Sequence, residues 1–230
     1  VFPGILGRVC DRPCEPACRR GRTHEKSVAI CRLKRVAYDY KDDVEKYIPK
    51  SPKIKNGKKI ALIGAGPASL TVARDLLPLG YECTIFEKDH KAGGLMRTNI
   101  PSFRLPADVL DEEIYRIIDM GAELKLNSYI DKLKPVIDEY DSVFIGTGAP
   151  KGKDLNLKGR EISSENIHIG IDWLTSIAFE HVKKIGKKVV VIGGGNTAMD
   201  CCRSALRLGA TDVKVTVRSP FSQMKASEWE

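Results

Sequence analysis

At 230 residues, 42% of them hydrophobic and 30% charged, the chain has the make-up of a globular protein of one large domain or two modest ones. It contains no run of eighteen apolar residues, so a membrane-spanning helix is not expected. The formal charge of +8 is concentrated in residues 1–40, where nine Lys/Arg face four acids, and no aromatic-studded basic platform or DNA-reading motif accompanies it. Nucleic acid is therefore not an expected partner.

The first 24 residues are rich in Pro, Gly, Arg and Cys and show no period. They read as an irregular segment organised by a ligand. Cys10, Cys14 and Cys18 follow C-x₃-C-x₃-C spacing, with Pro13 and Pro16 restricting the chain between them. Thiolates held close together on such a loop suit iron–sulfur ligation, and the surrounding cations offset cluster charge; zinc or disulfide pairing fits the spacing alone as well. From about Ser27, apolar positions at Ala29, Leu33, Val36/Ala37, Tyr40, Val44 and Tyr47 recur at helical spacing. Cys31 lies on that helix. Pro49, Pro52 and the Lys/Asn/Gly run at 53–59 form a linker.

A repeated grammar follows. Lys59–Ile63 is a short buried strand, Gly64-Ala-Gly66-Pro-Ala-Ser69 opens a helix running to about Leu79, Gly80 ends it, and Glu82–Glu87 is the next strand. A helix near 107–120, a strand near 123–126, a helical stretch near 130–140 and the run Ser142–Ala149 come next. Then the grammar returns: Lys188–Ile192, Gly193-Gly-Gly195-Asn-Thr-Ala198, a helix to about Leu208 and a strand at Val213–Val217. Strands alternating with helices imply parallel sheets with covered faces, an α/β fold of two Rossmann-like nucleotide-binding units. The seven cysteines in such a setting point to a reducing, cytoplasmic compartment.

Both glycine-rich turns stand where a dinucleotide fingerprint belongs. The first Gly allows the sharp turn, the second lets backbone approach a pyrophosphate, and the third position needs a small residue, here Ser69 and Ala198. The pyrophosphate then meets unpaired N–H groups at a helix N-terminus. Glu87, twenty-one residues after Gly66, suits a ribose diol. The second unit ends its strand with Val217-Arg218-Ser219 and no acid, which favours the 2′-phosphate of NADPH over NADH.

The ordered set Ile60-Ala-Leu-Ile-Gly-Ala-Gly-Pro-Ala, Phe86-Glu-Lys, Gly93-Gly-Leu, Ile100-Pro-Ser-Phe-Arg-Leu-Pro106, Thr147-Gly-Ala and Val191-Ile-Gly-Gly-Gly-Asn-Thr-Ala-Met-Asp200 resembles the glutamate synthase small-subunit family. That family includes the N-terminal half of dihydropyrimidine dehydrogenase and the large subunit of bifurcating transhydrogenases. The resemblance runs from about Phe2 to Glu230 and implies three parts: an Fe–S-binding helical segment at 1–50, an FAD-binding Rossmann domain at 51–150, and an NAD(P)H-binding domain at 151–230. By position it implies FAD held by Gly64, Ala65, Gly66, Pro67, Ala68, Glu87 and Lys88, with Gly94, Leu95, Arg104 and Ile130 along the flavin. It implies a nicotinamide nucleotide at Gly194, Gly195, Asn196 and Thr197. The family's Arg-Arg pair is reduced to Arg218-Ser219, and its later basic residue corresponds to Lys225. For a 4Fe–4S cluster it implies Cys10, Cys14 and Cys18. Relatives often place an acidic or amide ligand sixteen residues after the third Cys; here that position is Lys34, so Cys31, one helical turn earlier, is the expected substitute.

The resemblance also implies that the second Rossmann unit is incomplete, since in the family the chain returns to finish the flavin site, and that further cysteines lie upstream. The expected activity is electron transfer from NAD(P)H to FAD and through Fe–S to a redox partner subunit. A true glutamate synthase small subunit and a non-catalytic scaffold or relay are the alternatives. No acid–base residue is expected: His24, His90, His168 and His181 are scattered, and Asp200 and Cys201 look like packing positions.

Overall fold

The computed structural model describes residues 1–23, 26–155 and 158–227. It divides into a first unit (residues 1–96 and 103–148) and a second (97–102 and 149–230).

The first unit is built on a parallel sheet of order β3-β2-β1-β4. Its strands are β1 (Lys59–Ile63), β2 (Glu82–Phe86), β3 (Glu123–Lys125) and β4 (Ser142–Ile145). β1 is central. It pairs Ile63 with Phe86 on one side and with Ile145 on the other, and all of its residues after Lys59 are buried. Such an apolar run without alternation is what a strand covered on both faces requires. Helix α4 (Pro67–Leu76) follows it, started by Pro67 at the first helical position and ended through a short 3₁₀ turn at Gly80, φ 87°. Leu62, Leu70, Leu77, Ile85 and Ile114 are fully enclosed. Each of these large side chains contributes roughly 1.5–3 kcal/mol by leaving water.

The N-terminal residues are more regular than their composition suggests. They form α1 (Pro3–Val9), α2 (Arg20–Thr23) and α3 (Ile30–Asp39). α1 exists because Pro3 starts it and because tertiary packing supports it: a Cβ on Gly4 would stand 2.7 Å from the Tyr38 ring, and one on Gly7 2.7 Å from the Arg35 amide nitrogen. Only glycines allow α1 to lie this close to α3. α3 is also shorter than the apolar period predicts. Asp43 Oδ1 accepts the Glu45 N–H at 3.0 Å, a local side-chain turn that competes with helix, and only a 3₁₀ turn follows at Glu45–Tyr47.

α6 (Ala107–Ile118), reached after the short α5 (Leu95–Thr98), buries Val109, Leu110, Glu113, Ile114 and Ile117 on one face. Glu113 is the exception in that apolar stripe. Its Oε1 and Oε2 accept the Gly4 and Ile5 N–H groups, both at 3.0 Å, so α6 satisfies the orphan donors that open α1. Beside it Glu112 binds Tyr38, Lys41 and Arg116. Arg8 meets Asp39 at 2.6 Å and lies over the Tyr38 ring. α7 (Leu133–Glu139) leads into β4.

The second unit holds β5 (Lys188–Ile192) and β6 (Asp212–Thr216), paired in parallel, with α8 (Gly170–Ala178) and α9 (Asn196–Arg207). Trp173, Leu174, Cys201, Ala205 and Ala210 form its core, with Val189, Val191 and Val213 packed against them. The buried thiol of Cys201 is pushed up to about 12 by that burial and by neighbouring Asp200. Among the described residues no helix is long and apolar enough to cross a membrane. His24 lies outside the described residues.

Candidate functional site

The two fingerprint turns have one geometry. In the first unit Gly64 turns the chain out of β1 at φ 94°, Gly66 caps α4 in extended conformation, and Pro67 begins the helix. In the second, Gly193 leaves β5 at φ 146°, Gly195 caps α9 in extended conformation, and Asn196 begins the helix. A Cβ placed on Gly66 or Gly195 would meet no atom within 4 Å. Each turn therefore opens backbone N–H groups at the start of a 10- or 12-residue helix toward unfilled space, the arrangement that accepts a pyrophosphate.

The third fingerprint positions seal the other side. Ser69 is buried, and a Cβ on Gly146 would reach its Oγ at 2.2 Å; Ala198 is buried, with its Cβ 3.4 Å from one built on Gly193.

Around the first turn several of the expected residues gather. Glu87, only 5% exposed, follows β2; its Oε2 accepts the Ala65 N–H at 2.8 Å and its Oε1 the Asp89 N–H at 3.0 Å. The carboxylate thus fixes the turn while keeping lone pairs for hydroxyl donors. Gly93 N donates to Ala65 O at 2.9 Å, and a Cβ on Gly94 would stand 2.9 Å from Gly66 Cα, so the Gly93-Gly94 loop is seated on the fingerprint. Leu95 is partly exposed beside it, at the start of α5. Ser128 N donates to Glu87 O at 2.7 Å and Asn127 N to Asp89 O, which brings the segment carrying half-buried Ile130 to the end of β2. Arg104 is half-buried and Lys88 exposed. Ala68 lies in the first turn of α4.

Around the second turn, Thr197 is exposed on α9 and Asn196 half-buried. Arg218 and Lys225 are both exposed, on the stretch that leaves β6.

The cysteines are gathered only in part. Among the described residues no three Cys, His, Asp or Glu side chains stand together as a metal-binding group. Cys10 and Cys31 are neighbours: the Cys31 thiol is held up by burial and by its hydrogen bond with Cys10. Cys10 ends α1, its Sγ accepting the Arg12 N–H at 3.4 Å, and Glu15 Oε1 accepts the Cys31 N–H at 2.9 Å. Cys18 is lowered by the backbone N–H groups of Val28 and Arg20, so its thiolate has donors around it. All seven cysteines are free thiols, Cys14 included.

Sequence reasoning missed Glu113. The available signal was a carboxylate inside the 109–117 apolar stripe, a charge that burial alone would reject.

Residues 58–228 match the family described as pyridine nucleotide-disulphide oxidoreductase. The chain belongs to that family. It is 38% identical over its whole length to the NADPH-Fe(3+) oxidoreductase subunit beta of Geobacter sulfurreducens, of which it covers 35%. It is 34% identical over 92% of its length to the glutamate synthase [NADPH] small chain of Bacillus subtilis, of which it covers 45%. The resemblance to glutamate synthase small subunits read from the motifs is thereby supported by whole-chain similarity. A solved structure of FprA from Mycobacterium tuberculosis in complex with NADPH superposes on 74% of this chain and 45% of that one, at a TM-score of 0.62 and 19% identity, which shows a shared fold. The chain thus spans about a third to a half of the length of these relatives. Membership in this family makes it an oxidoreductase chain of the pyridine-nucleotide type.

Proposed function

We propose that this chain is the electron-input portion of a multi-subunit redox enzyme, with FAD at the first fingerprint, a nicotinamide nucleotide at the second, and an Fe–S cluster at the cysteine segment serving a partner subunit. The observation that carries the reading is the contrast between two turns of one geometry. The first is bound by the buried carboxylate of Glu87 at the end of β2, whereas in the second unit the exposed cation of Arg218 stands two residues beyond β6. A carboxylate accepts hydrogen bonds from a bare ribose diol, whereas a guanidinium takes a 2′-phosphate, so FAD is assigned to the first turn and NADPH, ahead of NADH, to the second.

The residues at the two turns fit these nucleotides, and the cysteine segment supplies the donor chemistry of a cluster without gathering three of its thiols among the described residues. Gly66 leaves the room a pyrophosphate needs, Pro67 and Ala68 form the first turn of the helix that meets it, and Glu87 and Lys88 lie at the adenosine end. Gly94, Leu95, Arg104 and Ile130 line the flavin side. Gly194, Gly195, Asn196 and Thr197 receive the nicotinamide nucleotide, with Arg218 and Lys225 toward its 2′-phosphate. Cys10, Cys14, Cys18 and Cys31 have the donor chemistry of a 4Fe–4S cluster, and two of them already touch. When bound, the flavin would accept one hydride, two electrons with a proton, and release the electrons singly, which is the chemistry that joins a nicotinamide donor to a cluster. The protein's part is alignment, which is consistent with the scattered histidines. The relatives named as subunits support an assembly with a redox partner, and the free thiols suit a cytoplasmic setting.

The test is a visible absorption spectrum of the purified protein under anaerobic titration, first with NADPH and then with NADH. Flavin absorption over a broad Fe–S background, bleached by NADPH at lower concentration than by NADH, is the expected result. A protein without flavin absorption, or a flavin that neither nucleotide bleaches, would overturn the reading. Glu87→Ala should weaken FAD about ten- to a hundredfold, the equivalent of roughly 1.5–3 kcal/mol of charge-assisted hydrogen bonding. Flavin retained through gel filtration at the level of the parent would remove Glu87 from the site.

A further inference from the structure

At the second fingerprint the chain turns back on itself. Lys225 N and Ala226 N both donate to Gly194 O, at 3.0 and 2.9 Å, and Ser227 N donates to Asn196 Oδ1 at 2.9 Å. Three hydrogen bonds thus fasten Lys225–Ser227 as a strap across the turn. The strap leaves from the same place: a Cβ on Gly194 would stand 2.8 Å from Val217 Cγ1 and 3.5 Å from Met224 Cγ, so Gly194 is wedged between the two ends of the 217–224 excursion. Arg218 follows one end in sequence and Lys225 the other, and both are exposed.

Two of the three bonds are between backbone groups and need no particular side chain. The third depends on residue 196. We propose that Asn196 is a positioning residue for nucleotide selection: its Oδ1 holds the strap so that Lys225 joins Arg218 against the 2′-phosphate. The inference rests on the reading that this turn binds NADPH, and it changes the role given to Asn196, which acts here through Lys225.

The physical consequence is selective. Without the Asn196 bond the strap keeps only the two backbone bonds of Lys225 and Ala226 to Gly194 O, so the lysine samples a larger volume and part of its order must be restored on binding. Its contact with a phosphate weakens, while the backbone N–H groups that open α9 do not depend on the strap. Loss of Asn196 should therefore lower affinity for a 2′-phosphorylated nucleotide by a much larger factor than for its unphosphorylated counterpart. A role confined to the helix start would lower both together.

The experiment measures binding of adenosine 2′,5′-bisphosphate and of 5′-AMP to the full chain by calorimetry, in the parent, Asn196→Ala, Lys225→Ala and the double variant. The parent should prefer the bisphosphate about ten- to a hundredfold, as expected for charge-assisted phosphate contacts. Asn196→Ala should lose most of that preference, and adding it to Lys225→Ala should cost nothing further in the ratio, because the two act as one unit. Amide hydrogen exchange at 225–227 should rise in Asn196→Ala. A ratio that survives Asn196→Ala, losses that multiply in the double variant, or unchanged exchange would each overturn the inference while leaving the NADPH reading intact. A parent with no preference for the bisphosphate would overturn both.

Discussion

Gly64→Ala should destabilise the protein strongly and strip it of flavin, whereas Gly66→Ala, two residues away, should leave stability near the parent's and lose flavin alone. The difference lies in what each Cβ would meet. Gly64 has φ 94°, a conformation that costs an L-residue about 1–3 kcal/mol. Its Cβ would also stand 2.6 Å from Gly146 O and 3.0 Å from Gly146 C. Those are backbone atoms, and they cannot step aside: Gly146 N is bonded to Ile63 O at 2.8 Å and Gly64 N to Phe86 O at 2.7 Å, so β1 is held to both neighbours at this point. Forcing them apart adds about 1–3 kcal/mol of overpacking strain, for roughly 2–6 kcal/mol in all. Gly66 has φ −81° and open space ahead of it, so alanine there strains nothing and only fills the approach to the pyrophosphate. Thermal melts and flavin content of the two variants check this. Equal melting temperatures for Gly64→Ala and the parent would mean that the turn is looser than its geometry requires, and full flavin in Gly66→Ala would place the pyrophosphate elsewhere.

The two turns were legible from spacing because local chain geometry makes them. A strand, a tight turn and a helix start lie within a dozen residues, and the glycines state where backbone must come close. The positions of β1, β2, β5 and β6 were legible for the same reason, whereas the order β3-β2-β1-β4 was not, because it is set by pairing between distant segments. What was not legible depends on chain-distant pairing. α1 is regular because Tyr38 and Arg35 face Gly4 and Gly7 across some thirty residues, which no period within residues 1–24 reveals. α3 ends at Asp39, and past it Asp43 folds onto Glu45 N in a local turn hidden inside a convincing apolar period. The contact of Cys10 with Cys31 was anticipated as shared ligation through a family resemblance, yet C-x₃-C spacing by itself groups Cys10 with Cys14 and Cys18. The Asn196–Ser227 bond joins positions that sequence reading had assigned separately, one to the nucleotide and one to nothing.

Glu113→Ala should release the N-terminal helix. Two N–H groups at the start of α1 would lose a buried carboxylate acceptor, each bond contributing roughly 1.5–3 kcal/mol, partly offset because an anion is no longer held out of water. A net loss of about 2–4 kcal/mol is expected. It should be felt first as local opening of residues 3–9, since α1 is attached to the sheet domain mainly through α3 and α6. The pH dependence carries the sign of the balance. Burial is the largest influence on Glu113 and raises its carboxyl above the usual value of 4.5, opposed by the Ile5 and Gly4 N–H groups. A carboxyl raised on folding contributes stability that is fully present below the unfolded value and is lost as pH rises through the folded one. The stability gap between parent and Glu113→Ala should therefore narrow as pH is raised from about 4.5 toward neutrality. Denaturant unfolding of both proteins across that range measures the gap. A gap that widens with pH would mean that the two N–H bonds outweigh burial, and a gap near zero throughout would mean that α1 holds without α6. Because Cys10 terminates α1 and touches Cys31, the same variant should also separate the two thiols. Faster alkylation of Cys31 in Glu113→Ala than in the parent would report that separation directly, and it would tie the one buried carboxylate of α6 to the geometry of the cysteine segment.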